Sequence, residues 1–181
     1  MATTKVITGK VRFGYVHVFE PSAAQEGGKE KYSVSVIIPK EDKKTLKAVR
    51  EAIDAALELG LHDKFGGKLP KVYKNPLRDG DTERDDEVYA GCYFITANSD
   101  NKPSIVDRDL NPIMERDEFY SGVYGRASLN FYPFNVNGNK GVACGLQNLQ
   151  KLADGPKLAG NMPSAEEDFA SAYDEDEDDL M

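Results

Sequence analysis

The stretch VYGRASLNFYPFNVNGNKGVACGLQNLQ, residues 123–150, constrains the fold of this chain more than any other. Val123, Ala127, Leu129 and Phe131 share one parity and are apolar, while Tyr124, Arg126, Ser128, Asn130 and Tyr132 share the other. A period of two with one apolar side marks a strand that lays one face on a core. Asn137-Gly138 then separates this run from KGVACGLQNLQ, and that dipeptide is a strong signal for a tight hairpin turn. The expectation is a long antiparallel hairpin with an apolar inner face and a tyrosine- and arginine-bearing outer one.

The rest of the chain supplies partners for that hairpin. KVITGKVRFGYVHVFEP (residues 5–21) reads as extended, with Phe13, Tyr15, His17 and Phe19 on one parity and Arg12, Val16 and Val18 on the other. Gly9 and Gly14 are places where such a strand bulges or bends. AAQEGGKE (residues 23–30) reads as a hairpin loop, and KYSVSVIIPK (residues 31–40) alternates with Tyr32, Val34, Val36 and Ile38 on one face. The period changes in EDKKTLKAVREAIDAALELG, where Leu46, Val49, Ile53 and Leu57 predict an amphipathic helix ending at Gly60. Residues 66–87 are a long loop rich in Gly, Pro and charge, and strand signals resume in VYAGCYFITA and KPSIVD. There is no internal repeat. Five or so strands and one helix predict a mainly β fold, an OB-fold-like antiparallel barrel. An open antiparallel sheet with a helix on one face is the alternative. The helix follows the second extended run, so either the connection is rearranged relative to the usual OB plan or the first run bends into two strands.

Charge divides the chain sharply. Residues 161–181 hold nine of the 31 acidic side chains and no basic one, leaving 22 acids against 23 bases in residues 1–160. The isoelectric point near 4.9 therefore reflects the terminal segment rather than the body. Nine like charges with little apolar surface cannot offset the entropy of ordering. Residues 1–157 are expected to form one domain and residues 158–181 a disordered acidic tail. MATTKVITGK lacks an apolar signal region, and no run approaches a membrane span. Cys92 and Cys144 lie in apolar stretches without CxxC spacing, which reads as buried free thiols in a reducing cytosol, with a disulfide as the less favoured alternative.

No catalytic constellation is legible. The two histidines, His17 and His62, have no metal-ligand spacing to a cysteine or carboxylate, and no Walker loop, GxSxG or GxGxxG occurs. Asp79, Asp81, Asp85 and Asp86 could pair around magnesium, but in a charged loop solvated carboxylates are the simpler reading. The chain reads as a non-enzyme that needs no metal or cofactor.

The outer parity of residues 124–132 points elsewhere. Flat π faces interspersed with a cation suit single-stranded nucleic acid, whose bases stack on aromatic rings whatever their identity. Packing of these tyrosines under the helix or in a dimer interface is the competing explanation. Tyr124, Arg126, Asn130 and Tyr132 form the candidate face. LPKVYKNPLRDGD adds Lys71, Tyr73, Lys74 and Arg78, cations around one aromatic in a loop that would close over a bound strand. Tyr89 and Tyr93 are further outward candidates, with Phe94, of opposite parity, falling in the core.

KYSVSVIIPK, PLRDGD, KPSIVDRDLNPI and FYSGVYGRASLNFYPFNVNGNKGVACGLQNLQKL, in this order and spacing, resemble the bacteriophage family of single-stranded DNA-binding proteins typified by phage Enc34. That family is similar in plan to the single-stranded DNA-binding protein of T7-like phages, an OB-fold with an acidic C-terminal tail. The resemblance implies sequence-independent binding of single-stranded DNA in phage replication and recombination, in the host cell cytoplasm. It also implies that the tail contacts phage or host replication proteins. Asp176, Asp178 and Asp179 would supply charge for that contact, and Leu180 and Met181 apolar anchors. Homo-oligomerisation stays open. The alternative function is a protein-interaction adaptor whose acidic tail mimics nucleic acid.

Overall fold

The computed structural model describes residues 3–23 and 28–158. The first extended run becomes two strands, β1 (Lys5–Ile7) and β2 (Val11–Ser22). They are followed by β3 (Lys31–Pro39), helix α1 (Lys43–Leu59), the short β4 (Arg78–Asp79) and the single-turn α2 (Gly80–Glu83). Then come β5 (Cys92–Ser99), β6 (Ser104–Val106) and the hairpin β7 (Tyr124–Val136) and β8 (Asn139–Ala153). At the tip of that hairpin Asn137 and Gly138 take φ values of 52° and 87°, the two positive angles that a type I′ turn requires.

Pairings run β7–β2, β2–β3, β3–β5, β5–β8 and back from β8 to β7, so five strands form a closed ring. Strand direction cannot alternate all the way around an odd ring. One contact must be parallel, and it is β5–β8, through Ala97↔Cys144 and Asn98↔Gly145. The ring is the OB-fold-like closure expected, with this one exception to its antiparallel character. β1 and β2 lie end to end along one edge of β7, with Ile7↔Ser128 and Val11↔Gly125 offset by one residue. Buried Thr8 bridges the offset: its amide donates to the Ala127 carbonyl and its hydroxyl accepts from the Ala127 amide, both at 3.0 Å. The first run thus does break into two strands, and the helix follows the third strand of the chain while lying between the second and third strands of the ring.

α1 begins where the Asp42 side chain accepts from the Thr45 amide at 3.2 Å, satisfying one of the free donors of the first turn. Its buried face comprises Leu46, Val49, Ile53 and Leu57 with Ala52 and Ala56, and it packs on β7. Gly60 ends the helix at φ −87°, not in the left-handed region, so conformational freedom is not its role. A Cβ there would come 2.5 Å from Pro133 of β7, and close approach to the hairpin is the reason for glycine.

Two alternation patterns differ from expectation. In β2 the apolar parity changes partway: Val11 and Phe13 are buried, then Val18, while Tyr15 and His17 are exposed. The register with β3 slips between Gly14 and His17, where Tyr15 sits at φ 45°, and this bulge exchanges the two faces. In β5, Tyr93 packs against the main core beneath α1 together with Ile95 and Ala97. Phe94 points to the outside of the ring, into a small second cluster with Ile37 and Tyr89. The parity expected for Tyr93 and Phe94 is thus reversed. Both cysteines are free; burial of Cys144 inside the ring raises the pKa of its thiol.

Candidate nucleic-acid interface

The inner and outer faces of β7 separate as the alternation requires. Val123, Ala127, Leu129 and Phe131 are buried, Tyr124, Ser128 and Asn130 are half-buried, and Arg126 and Tyr132 are exposed. Tyr124 and Tyr132 are eight residues apart, roughly 27 Å along an extended strand, so they mark two ends of a surface rather than one pocket. Between them Arg126 donates from Nε to the Thr8 carbonyl at 3.0 Å, leaving the rest of its guanidinium exposed. The Asn130 side-chain oxygen accepts from the Thr4 hydroxyl at 3.0 Å. Tyr132, 40% exposed, has a ring edge over Gly145, where a Cβ would stand 3.7 Å away.

The Tyr124 end is the more developed. Lys10 Nζ and the Arg12 guanidinium stand 5.4 and 5.3 Å from the Tyr124 ring centre. Tyr120 lies beside it, since Gly155 touches both: a Cβ on Gly155 would be 2.7 Å from the Tyr124 ring, and Gly155 itself bonds to the Tyr120 hydroxyl. Lys151 and Lys157 stand 5.7 and 5.8 Å from the Tyr120 ring centre. Four cations thus surround two neighbouring tyrosines, with Arg126 further along the strand. Arg12 is fixed by the Gly122 and Pro156 carbonyls, and Lys151 pairs with Asp154 at 2.7 Å. Among the described residues Lys10, Arg126 and Lys157 have no carboxylate partner.

The loop residues gather on another part of the ring. The Lys74 amide donates to the Lys140 carbonyl, and the Lys74 carbonyl accepts from the Val142 amide, so the loop backbone is sewn to β8. Tyr73 is half-buried against the core, while Lys71 and Lys74 are exposed. Arg78 is paired with Glu83, its Nε 2.6 Å from the carboxylate. Arg78 and Glu83 also line an open groove over β5 together with Pro76, Arg84, Phe94 and Thr96, continuous with one reaching Asn75 and Lys74. Tyr132 on β7 and Lys74 lie on opposite sides of the same part of β8, through Tyr132↔Ala143 and the Lys74↔Gly141 bridge.

Two candidates do not belong to an open face. Tyr89 is only 2% exposed; its hydroxyl donates to Ser35 at 3.2 Å, and its ring packs edge-on against Phe94 at 5.0 Å. It has no free face for a base, because the turn Glu87–Tyr89 folds it inward over β3. Tyr93 is half-buried between Lys40 and Arg50, 5.2 and 5.3 Å from its ring centre. Asp79 and Asp81 of the loop both bond Lys40, at 2.9 and 2.7 Å, so they neutralise a lysine. The tail residues Asp176, Asp178, Asp179, Leu180 and Met181 lie outside the described residues.

Lys10, Arg12, Tyr120, Lys151 and Lys157 did not emerge from the sequence as site residues, because they are scattered over nearly 150 positions and only the ring assembles them. Tyr15 was legible as an aromatic but read as one of a uniform parity; it is 60% exposed on the bulge.

Comparison with known proteins supplies the family. The model of the family described as "Enterobacter phage Enc34, ssDNA-binding protein" matches residues 4–181. Protein p50 of Acyrthosiphon pisum secondary endosymbiont phage 1 is 31% identical over 187 residues, covering 98% of both chains. Among solved structures, the single-stranded DNA-binding protein of bacteriophage Enc34 in complex with ssDNA is similar at a TM-score of 0.72 and 21% identity, over 86% of this chain and 90% of that one. The single-stranded DNA-binding protein gp2.5 of bacteriophage T7 is similar at a TM-score of 0.57 and 16% identity, over 91% and 99%. These two likenesses are of fold.

Proposed function

The chain belongs to the family of phage single-stranded DNA-binding proteins typified by that of Enterobacter phage Enc34, and from that premise we propose that it binds single-stranded DNA without sequence preference along the outer face of β7. The observation that carries this placement is the pair Tyr120 and Tyr124 set among Lys10, Arg12, Lys151 and Lys157. Cations held at a ring face attract phosphates, and the ring edges and the exposed Tyr132 offer apolar surface to bases. Arg126 supplies a further cation midway. Lys71 and Lys74 extend the cationic surface across β8, with Tyr73 buttressing the loop, and Arg78 lies further on beside β5. The binding is a matter of contact and charge, with no covalent chemistry. A protein of this kind acts where duplex is opened, in phage replication and recombination.

The acidic segment fits the same reading. Leu158, whose amide donates to the Ser121 carbonyl at 3.1 Å, holds the chain next to the Tyr120–Tyr124 cluster just before the acids begin. A random coil of about 20 residues, the length of the acidic segment, has a root-mean-square reach of roughly 25 Å. Tethering of that kind gives an effective concentration on the order of millimolar, so the acids compete for the cations until DNA displaces them. The displaced segment is then available to replication proteins through Asp176, Asp178, Asp179, Leu180 and Met181.

Fluorescence anisotropy with mixed-sequence single-stranded and duplex oligonucleotides tests the reading on the full chain and on a chain ending at Gly160. Preference for single strands, tighter in the shortened chain at low salt, is expected. Binding by neither chain would favour an adaptor whose acidic segment mimics nucleic acid.

A further inference from the structure

The groove over β5 contains a cation that is already occupied. Arg78 Nε donates to Glu83 at 2.6 Å, and a second guanidinium nitrogen contacts the same oxygen. The other Glu83 oxygen accepts from the Asp79 amide at 3.2 Å. One carboxylate thus collects the donors that would otherwise face the groove. Glu83 is held there by its surroundings: the Asp79 side chain accepts from the Asp81 amide to start α2, and Lys40 bonds both Asp79 and Asp81. The Arg78 guanidinium keeps the Glu83 carboxyl below its usual range, so the competitor is charged. Arg84 stands 4.8 Å from the centre of the Phe94 ring and has no carboxylate partner among the described residues.

We propose that the Arg78–Glu83 pair is a phosphodiester-binding subsite held closed by its own carboxylate, which a DNA phosphate replaces when the strand crosses β5. The proposal rests on the single-stranded DNA reading above and adds a specific competitor within it. A phosphate oxygen accepts the same two guanidinium donors that Glu83 accepts now, and Arg84 carries the neighbouring positive charge. Glu83 swings away with its chain still exposed to water on one side, so the exchange trades one charge-assisted pair for another. The groove then discriminates by charge density: a strand presenting successive phosphates displaces the carboxylate, and a lone weak anion does not.

The test is salt-dependent anisotropy on wild type, Glu83→Gln, Arg78→Ala and the double variant, with a mixed-sequence single-stranded oligonucleotide. Gln keeps the acceptor for the Asp79 amide and removes the charge, and thermal melting checks that each variant is folded. Glu83→Gln is expected to bind several-fold more tightly than wild type at low salt. In the Arg78→Ala background the same change is expected to give little gain. If Glu83→Gln is folded and binds no more tightly, the proposal is overturned while the DNA reading stands. An equal gain with and without Arg78 also overturns it, since long-range charge then explains the effect. Should Glu83→Gln fail to fold, the Arg78 Nε–H resonance of the isotopically labelled wild type decides. It is expected to shift when oligonucleotide is added, and an unmoved resonance at saturation overturns the proposal. Absence of wild-type binding removes the DNA reading and this subsite together.

Discussion

Two aromatic and basic regions on the outside of the same ring have opposite characters. At one end of β7, Tyr120 and Tyr124 are half-buried, flanked by Lys10, Arg12, Lys151 and Lys157, with Asp154 the carboxylate bonded among them. Over β3 and β5, Tyr89 and Phe94 are buried in a cluster of their own with Arg84 5.7 and 4.8 Å from their ring centres, and the nearby Lys40 and Arg78 are bonded by Asp79, Asp81 and Glu83. Both regions would score alike on composition. The difference teaches that an aromatic ring beside cations offers a surface to a base only where part of the ring stays exposed, since Arg84 beside the buried Tyr89 is as free of a carboxylate partner among the described residues as Lys10 beside Tyr124. In the second region that same chemistry holds a loop down.

The comparison breaks most readily on stability. Tyr89→Ala is expected to destabilise the fold by about 3–5 kcal/mol, as removal of a large buried ring does, whereas Tyr124→Ala costs far less in a denaturant melt. Equal stability losses would put both rings in one class. Leu129→Ala, on the inner side of β7, should lose about 2–5 kcal/mol and serves as the reference for a purely structural position.

On binding, the order reverses. Tyr124→Ala and Tyr132→Ala should each weaken single-strand affinity by about 1–3 kcal/mol in an anisotropy titration, whatever the base sequence. Tyr89→Phe, which keeps the buried ring, should leave affinity unchanged. Arg126→Ala should lower the magnitude of the log–log salt slope by roughly 0.7, the loss of one phosphate contact. An unaltered slope would mean that Arg126 only braces Thr8.

The smallest effect concerns the loop clamp and follows from pH. Hydrogen bonds from Lys40 hold the carboxyls of Asp79 and Asp81 below their ordinary value of 3.8. A depressed carboxyl pKa stabilises the folded state above the unfolded value and loses that contribution as pH falls through the folded one. Lys40 itself is raised above its ordinary 10.5, first by Asp81, so its contribution persists below 10.5 and fades only in strong alkali. The hydrogen-exchange protection of residues 79–91, corrected for the intrinsic pH dependence of amide exchange, should therefore be steady from pH 5 to 9 and fall relative to the β7–β8 hairpin only below about pH 4. Loosening already at pH 6 would show that the clamp is not what holds the loop.

How much was legible follows from how local the information is. The alternation of residues 123–131 assigned the two faces of β7 correctly, because a strand's side chains have a fixed period of two and one side was apolar throughout. Asn137-Gly138 specified its own turn, since the needed φ angles belong to those two residues. The helix was equally plain in Leu46, Val49, Ile53 and Leu57. The same alternation argument failed in β2, where a bulge at Tyr15 costs one residue of register, so that Val18 is buried in place of His17. It failed in β5 because both sides of that strand are apolar: one packs on the ring interior and the other under Tyr89, so parity alone had nothing to decide between them.

The sequence by itself thus determined the helix α1 and the longer strands, though not β4 and α2 within residues 66–87, together with the segregation of charge into residues 161–181 and the resemblance that named the family. Those are properties of neighbours along the chain, read from periodicity and order. Only the tertiary structure decided that Lys10, Arg12, Tyr120, Lys151 and Lys157 meet around Tyr124, that Tyr89 is buried, and that Glu83 occupies Arg78. Ring closure through β7 and β8 brings together residues more than a hundred positions apart, and the pairing of a charge depends on distance in space, which no period along the chain encodes.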